Sequence, residues 1–137
     1  MGRKLARESA MKLLFQMESN NDFSEDMINL FLSNNDLSDE DKDYINQIVN
    51  KIVQNKEEID KKIEKYSQGW KLNRMPKVDL AVLRIAVSEI MYEEEIPIEV
   101  SINEAIDIVK KYSTNESSKF VNGLLGGLVR DRDESNG

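Results

Sequence analysis

The apolar residues of this chain recur at helical spacing along most of its length. In residues 3–18 they return every three or four positions and form one apolar stripe, which predicts a helix. Serine followed by acids at Ser24 and at Ser38 predicts two helix starts. The pattern after Ser38 continues to Tyr66, with a bend or break near Asn55-Lys56. No segment alternates as a strand would, so the chain is predicted to be all-α.

The most apolar segment is predicted to form the central buried helix. Pro76 is typical of a first helical position, and apolar residues from Val78 to Met91 surround almost the whole cylinder. Asp79, Arg84 and Glu89 are the polar exceptions. A helix that is apolar on nearly all sides is covered on nearly all sides.

Two further helices are predicted in the last third of the chain. One begins between Pro97 and Ser101, where Ser101 and Glu104 have the spacing of a capping box. The other begins at Thr114 and is followed by a flexible acidic tail over residues 131–137. A chain of 137 residues is long enough for one domain with a core. We expect residues 1–130 to form it, from two helical halves over 1–70 and 71–130.

The amino-acid composition excludes most of the usual catalytic mechanisms for this chain. The chain has no cysteine and no histidine, so it lacks thiolate nucleophiles, imidazole bases and the usual zinc ligands. Its many carboxylates show no sequence sign of the burial that general acid–base work requires. We therefore predict no catalytic residues, no metal site and no cofactor. No apolar window approaches membrane-spanning length, and a cytoplasmic protein without membrane association is expected.

Charge is unevenly distributed over a net −7. Residues 1–17 hold four basic residues against one acid, which gives +3, whereas residues 18–60 hold twelve acids against three lysines, which gives −9. An acidic body thus carries one small basic end. Such an end can contact phosphate, but four cations are too few for strong non-specific nucleic-acid binding.

Two residues admit two interpretations each. Phe15 shares a helix face with Lys4, Arg7 and Met11, so it is either core or an exposed aromatic beside cations. Asp79 lies in the first turn after Pro76, where attraction to the helix dipole accounts for it. Alternatively, Asp79 offers a carboxylate to a cationic residue of a partner.

Four segments in order resemble the NusB transcription antitermination family over nearly the whole chain. Arg7-Glu8-Ser9-Ala10 with Leu13-Leu14-Phe15 resembles the family's first helix, and Asp79 to Ile90 resembles its central helix. Ile102-Asn103-Glu104-Ala105-Ile106 and Lys119-Phe120-Val121-Asn122-Gly123 complete the pattern. Each motif alone is weak, but four at the right distances are specific.

The resemblance implies two small helical bundles packed together, without catalysis. It implies binding of boxA RNA together with the small-subunit ribosomal protein NusE, within the RNA polymerase antitermination complex and beside other Nus factors, as a monomer or a homodimer. Such binding suppresses termination, notably in ribosomal RNA operons. Carried over by position, the RNA-binding residues are Arg3, Lys4, Arg7, Glu116, Lys119 and Phe120. The partner-binding residues are Phe15 and Asp79.

Two other functions are compatible with parts of this pattern. A NusB-like domain also occurs fused to RNA cytosine methyltransferases, but 137 residues leave no room for a cofactor-binding fold and no cysteine nucleophile exists. The chain is alternatively a protein-only helical adaptor whose basic end is merely solvated. Single-stranded RNA is bound through stacked bases and phosphate contacts, which a basic helix end beside an aromatic supplies.

Overall fold

Seven α-helices make up the computed structural model, which describes residues 3–136 and the side chains of residues 3–133. Residues 1 and 2 of the predicted domain and residue 137 of the predicted tail lie outside the described residues. Between residues 3 and 136 no strand occurs, so the all-α prediction is confirmed. The helices are α1 (Arg3–Asn20), α2 (Glu25–Asn34), α3 (Asp39–Gln54), α4 (Lys56–Lys65), α5 (Lys77–Tyr92), α6 (Ile98–Tyr112) and α7 (Asn115–Asn136), with a short 3-10 helix at Leu72–Arg74.

Local sequence signals set most helix boundaries. The hydroxyl oxygens of Ser24 and Ser38 accept the backbone N–H groups of Met27 and Asp41, which confirms both predicted N-caps. Asn55 leaves helical geometry and separates α3 from α4, where the break was predicted.

The turn after α4 contains two residues with positive φ, Gln68 and Gly69. The φ of Gly69 is +95°, which a residue without Cβ adopts at little cost. This turn leads into the segment between α4 and α5, in which the predicted boundary at residue 70 falls.

α5 is the centre of the fold, as its apolar circumference predicts. It packs against α1, α3, α4, α6 and α7, and every residue from Asp79 to Ile90 is buried. The leucines, isoleucines and valines of α5 join one hydrophobic core with those of its neighbours. Fully burying one such side chain stabilises the fold by roughly 1.5–3 kcal/mol.

A buried arginine ties three helices together at one end of this core. The guanidinium of Arg84 donates to both carboxylate oxygens of Asp60 at 2.9 and 3.0 Å and to Glu18 at 2.7 Å. Burial disfavours the charge, but the bonds to Asp60 and Glu18 outweigh it and raise the pKa of Arg84. The cation in the otherwise apolar α5 thus links α5 to α4 and α1.

The capping box predicted for α6 does not form, and α7 extends into the predicted tail. α6 begins at Ile98, within the predicted window, but Ser101 lies inside the helix and donates its hydroxyl to Glu89 instead of capping the helix with Glu104. α7 continues in helical conformation to Asn136 through the residues predicted as tail. The first of these, Asp131, accepts a hydrogen bond from Tyr66, which holds this turn of α7 against the end of α4.

Candidate nucleic-acid and partner interface

The basic end of the chain is the first turn of α1, and its two exposed cations have different surroundings. The guanidinium of Arg3 lies over the ring of Tyr44, 5.2 Å from its centroid. The ammonium of Lys4 contacts two acids of α6, Asp107 at 3.2 Å and Glu104 at 3.7 Å. The hydrogen bond to Asp107, followed by the charge of Glu104, raises the pKa of Lys4. Lys4 is therefore already paired, whereas Arg3 rests on an aromatic face.

Arg7 lies beneath this surface, not on it. Its residue exposure is 4%, and its Nε and Nη2 donate to the carboxylate of Glu89 at 2.9 and 3.1 Å. Burial opposes the charge, yet the bonds to Glu89 raise the pKa of Arg7. A guanidinium that is buried and bonded in this way cannot also bind a phosphate group at the surface. This differs from the surface position expected for Arg7, because the sequence gives no sign that Glu89 faces it.

Glu89 on α5 accepts hydrogen bonds from donors on three other helices. Besides Arg7, its carboxylate accepts the hydroxyls of Tyr44 on α3 and of Ser101 on α6, the latter at 2.7 Å. Burial and the negative charge of Glu89 raise the pKa of Tyr44 well above its ordinary value, so the phenol remains a donor. Sequence reasoning missed Tyr44. The available signal was Glu89 itself, a charge in a helix that is apolar on all sides and so in need of partners.

A cavity of about 300 Å³ opens at the N-terminal end of α5. Its walls include Trp70, Met75, Pro76, Asp79, Glu116 and Phe120. The cavity thus brings Glu116 and Phe120, expected at the RNA surface, together with Asp79, expected at the partner surface.

Asp79 is the chemically unusual group of this cavity. Its exposure is 1%, and its Oδ1 is buried without a hydrogen-bond partner among the described residues. Leaving a buried acceptor unsatisfied costs roughly 1–3 kcal/mol, and more for a charged group. The arrangement is suited to a donor, above all a cationic one, that enters from outside the chain.

Two aromatic rings form the apolar part of the cavity. Trp70 is 54% exposed and meets the half-buried Phe120 edge-to-face, with ring centroids 6.4 Å apart. A planar group that enters the cavity can stack on these rings while it reaches Asp79.

The remaining predicted residues, Phe15 and Lys119, are both exposed. Phe15 is 38% exposed on α1, which matches the exposed alternative better than the core one. Its two neighbours on the predicted face, Arg7 and Met11, are buried instead. Lys119 is exposed on the first turns of α7, next to Phe120 in sequence.

A third polar cluster joins α1 to the end of α6. Lys111 and the hydroxyl of Tyr112 both donate to Glu8, at 3.1 and 2.8 Å, and Lys12 lies over the Tyr112 ring at 5.5 Å. Burial alone would raise the pKa of Glu8, but the bonds from Tyr112 and Lys111 outweigh it and lower that pKa. The described residues contain no helix that could cross a membrane and no acid, histidine or cysteine cluster of the metal-binding kind.

Comparison with known proteins gives one consistent result. The model of the NusB family matches residues 4–130. The transcription antitermination protein NusB of Acetivibrio thermocellus is 48% identical over 130 residues, which cover 95% of this chain and 90% of that protein. Its counterpart in Clostridium novyi is 51% identical over 132 residues, covering 95% and 99%.

Solved structures agree with the sequence comparisons. NusB of T. maritima superimposes with a TM-score of 0.85 at 38% identity, covering 95% of this chain and 92% of that one. A crystal structure of antitermination factors NusB and NusE in complex with dsRNA gives a TM-score of 0.84 at 26% identity, covering 94% and 96%.

Proposed function

The chain belongs to the NusB family, and from this premise we propose that it is a transcription antitermination factor that binds boxA-type single-stranded RNA together with NusE. It would suppress termination, notably in ribosomal RNA operons, within the RNA polymerase complex and beside other Nus factors. Support comes from relatives of that function and from a related fold crystallised with NusE and dsRNA.

The observation that carries the partner half of this proposal is the unpaired carboxylate of Asp79 in an aromatic-walled cavity. An acidic chain of net charge −7 attracts a basic protein, and Glu116 adds a second acid at the same cavity. We propose that Asp79 accepts a cationic donor of NusE. Phe15 supplies a separate apolar contact to the same partner.

The RNA-binding part of the proposal depends on residues in the first turns of α1 and α7. Arg3 and Lys4 supply phosphate contacts, while Lys119 and Glu116 flank a base contact at Phe120. Arg7 acts from below by fixing Glu89. The proposal is for binding without catalysis or cofactor, in the cytoplasm, by one domain over residues 1–130; a sequence without cysteine or histidine supports the absence of catalysis.

Titration of a fluorescently labelled U-rich RNA, with and without NusE, tests this function. We expect NusE to strengthen RNA binding, and Asp79→Lys to weaken NusE binding in calorimetry while the helical circular dichroism stays unchanged. Unaltered NusE affinity in Asp79→Lys would refute the role of that residue. No RNA binding under either condition would refute the function.

A specific observation also favours the protein-only adaptor. Of the three α1 cations expected to bind RNA, Arg7 is buried and Lys4 is paired with α6 acids. If the chain is such an adaptor, it still binds NusE, and charge reversal at Arg3 does not change RNA affinity with or without NusE.

A further inference from the structure

Tyr44 links a buried ionic cluster to an exposed cation. Its hydroxyl donates to Glu89, which is 1% exposed. The guanidinium of Arg3 lies over its ring, 5.2 Å from the centroid. The guanidinium of Arg7 lies 5.8 Å from the same centroid. One ring therefore contacts both arginines, of which one is buried and one is exposed.

The ring is held in place by groups that do not move easily. The carboxylate of Glu89 is held by a bidentate hydrogen bond from Arg7 on α1 and by a hydrogen bond from the hydroxyl of Ser101 on α6. Because Tyr44 binds this fixed carboxylate, rotation of its ring away from α1 would break a hydrogen bond to a buried charge. Such bonds contribute more than neutral ones do.

The charges of the cluster leave one positive charge at the surface. Arg7 and Glu89 neutralise each other in the interior, so the net charge of the group comes from Arg3. Two carboxylates line the same recess beside the ring: Glu93, which is paired with Lys51 at 2.9 Å, and Glu95, which is exposed. Among the described residues no carboxylate forms an ion pair with Arg3.

We infer that Tyr44 is a positioning residue for RNA binding: it seats the guanidinium of Arg3 so that the outward N–H groups meet a phosphate. This inference rests on the proposed function. An arginine side chain loses conformational freedom when it binds, and a preset orientation reduces that loss. A cation resting on an aromatic face retains its outward N–H donors for a phosphate oxygen.

A double-mutant cycle on RNA affinity tests the inference, with Arg3→Ala, Tyr44→Leu and the combined variant. The probe is a fluorescently labelled U-rich RNA titrated in the presence of NusE at several salt concentrations. We expect each single variant to bind several-fold more weakly and the combined variant to bind no more weakly than Arg3→Ala. Arg3→Ala should also reduce the salt slope by about 0.7, the contribution of one phosphate on a single strand.

Tyr44→Phe separates positioning from folding. It retains the ring beneath Arg3 and removes only the hydroxyl, so we expect a lower melting temperature with a small change in RNA affinity and an unchanged salt slope. Circular dichroism melts identify any variant that is unfolded at the titration temperature. If Tyr44→Leu is unfolded there, the same cycle is run at a lower temperature at which the variant keeps its helical circular dichroism.

Tyr66 offers a matched control elsewhere in the chain. Its hydroxyl donates to Asp131 and Lys65 lies 5.3 Å from its ring centroid, so it repeats the same chemistry between α4 and the C-terminal part of α7. Tyr66→Leu should leave RNA affinity unchanged. Equal losses in Tyr66→Leu and Tyr44→Leu, or a full additional loss from Tyr44→Leu in the Arg3→Ala background, would overturn the inference. No RNA binding by the parent overturns the proposed function itself.

Discussion

Two carboxylates of α5, Glu89 and Asp79, are equally inaccessible to solvent but differ in their partners. Each is 1% exposed. Glu89 accepts four hydrogen bonds, from Arg7, Tyr44 and Ser101, whereas Oδ1 of Asp79 accepts none within the described chain. Burial alone therefore does not indicate what a charge does. The satisfied carboxylate holds helices together, and the unsatisfied one is available to a second molecule.

The largest expected effect comes from breaking the satisfied cluster. Glu89→Gln leaves the guanidinium of Arg7 buried without its counter-charge, and the loss of one partner of a buried pair costs roughly 3–5 kcal/mol. Urea unfolding followed by circular dichroism measures this change in the free energy of unfolding. Glu99→Gln, at an exposed glutamate of α6, is the control and should stay within about 0.5 kcal/mol. Equal stability of both variants would show that the cluster contributes nothing.

The same type of substitution at Asp79 should leave stability nearly unchanged. Asp79→Asn removes a charge whose burial is unfavourable, but it also removes a favourable interaction with the helix dipole, worth roughly 0.3–1 kcal/mol. We expect the free energy of unfolding to change by less than about 1 kcal/mol. Calorimetry should in contrast show NusE affinity reduced about tenfold or more, as for a lost charged hydrogen bond. A loss of stability as large as that of Glu89→Gln would make Asp79 structural too.

A third variant extends the comparison to the surface, where the ammonium of Lys4 is paired with two acids of α6. Asp107→Asn removes the acid that lies 3.2 Å from its ammonium, so Lys4 becomes more available to phosphate. We expect RNA affinity to rise by up to roughly fivefold at low salt and the gain to shrink as salt increases. Asp133→Asn, an exposed acid near the end of α7, should give no such gain. Weaker RNA binding by Asp107→Asn would contradict the competition between Asp107 and phosphate.

The smallest expected effect concerns acid pH. The pKa of Glu8 is lowered in the folded protein from 4.5, so Glu8 stabilises the fold above that value. This contribution disappears as the pH falls through the lower folded pKa. Glu8→Gln should therefore reduce stability at neutral pH, and the difference from the parent should vanish in acid. Thermal melts from neutral pH down to below the pKa of free glutamate measure it, and a constant difference at every pH would contradict the linkage.

Much of the helical architecture follows from the sequence because its signals are local. The caps at Ser24 and Ser38, the break at Asn55 and the apolar circumference of α5 each depend on residues within a few turns of one another. The start of α6 lies in the predicted window, but the capping role expected for Ser101 was wrong. Only the tertiary fold shows that Glu89, and not the local capping position, receives its hydroxyl.

The candidate site was less accessible to sequence reasoning, because its properties depend on contacts between distant segments. Arg7 and Glu89 are 82 positions apart, and nothing local distinguishes Arg7 from the exposed Arg3. Trp70 and Phe120 meet only after α4 and α7 have packed around α5. The family resemblance named Asp79 and Phe120 as functional, but it did not indicate that one cavity contains both.

Trp70 gives the cavity a built-in optical reporter. It is the single tryptophan of the chain, and it stands 54% exposed at the wall of the cavity that holds Asp79. Selective excitation of its indole therefore reports on this one location, with no label attached. A molecule that displaces water from the cavity should shift the emission towards the blue, whereas RNA held only at Arg3 and Lys4 should leave the spectrum unchanged. Occupation of this cavity can thus be followed in real time in the unmodified protein.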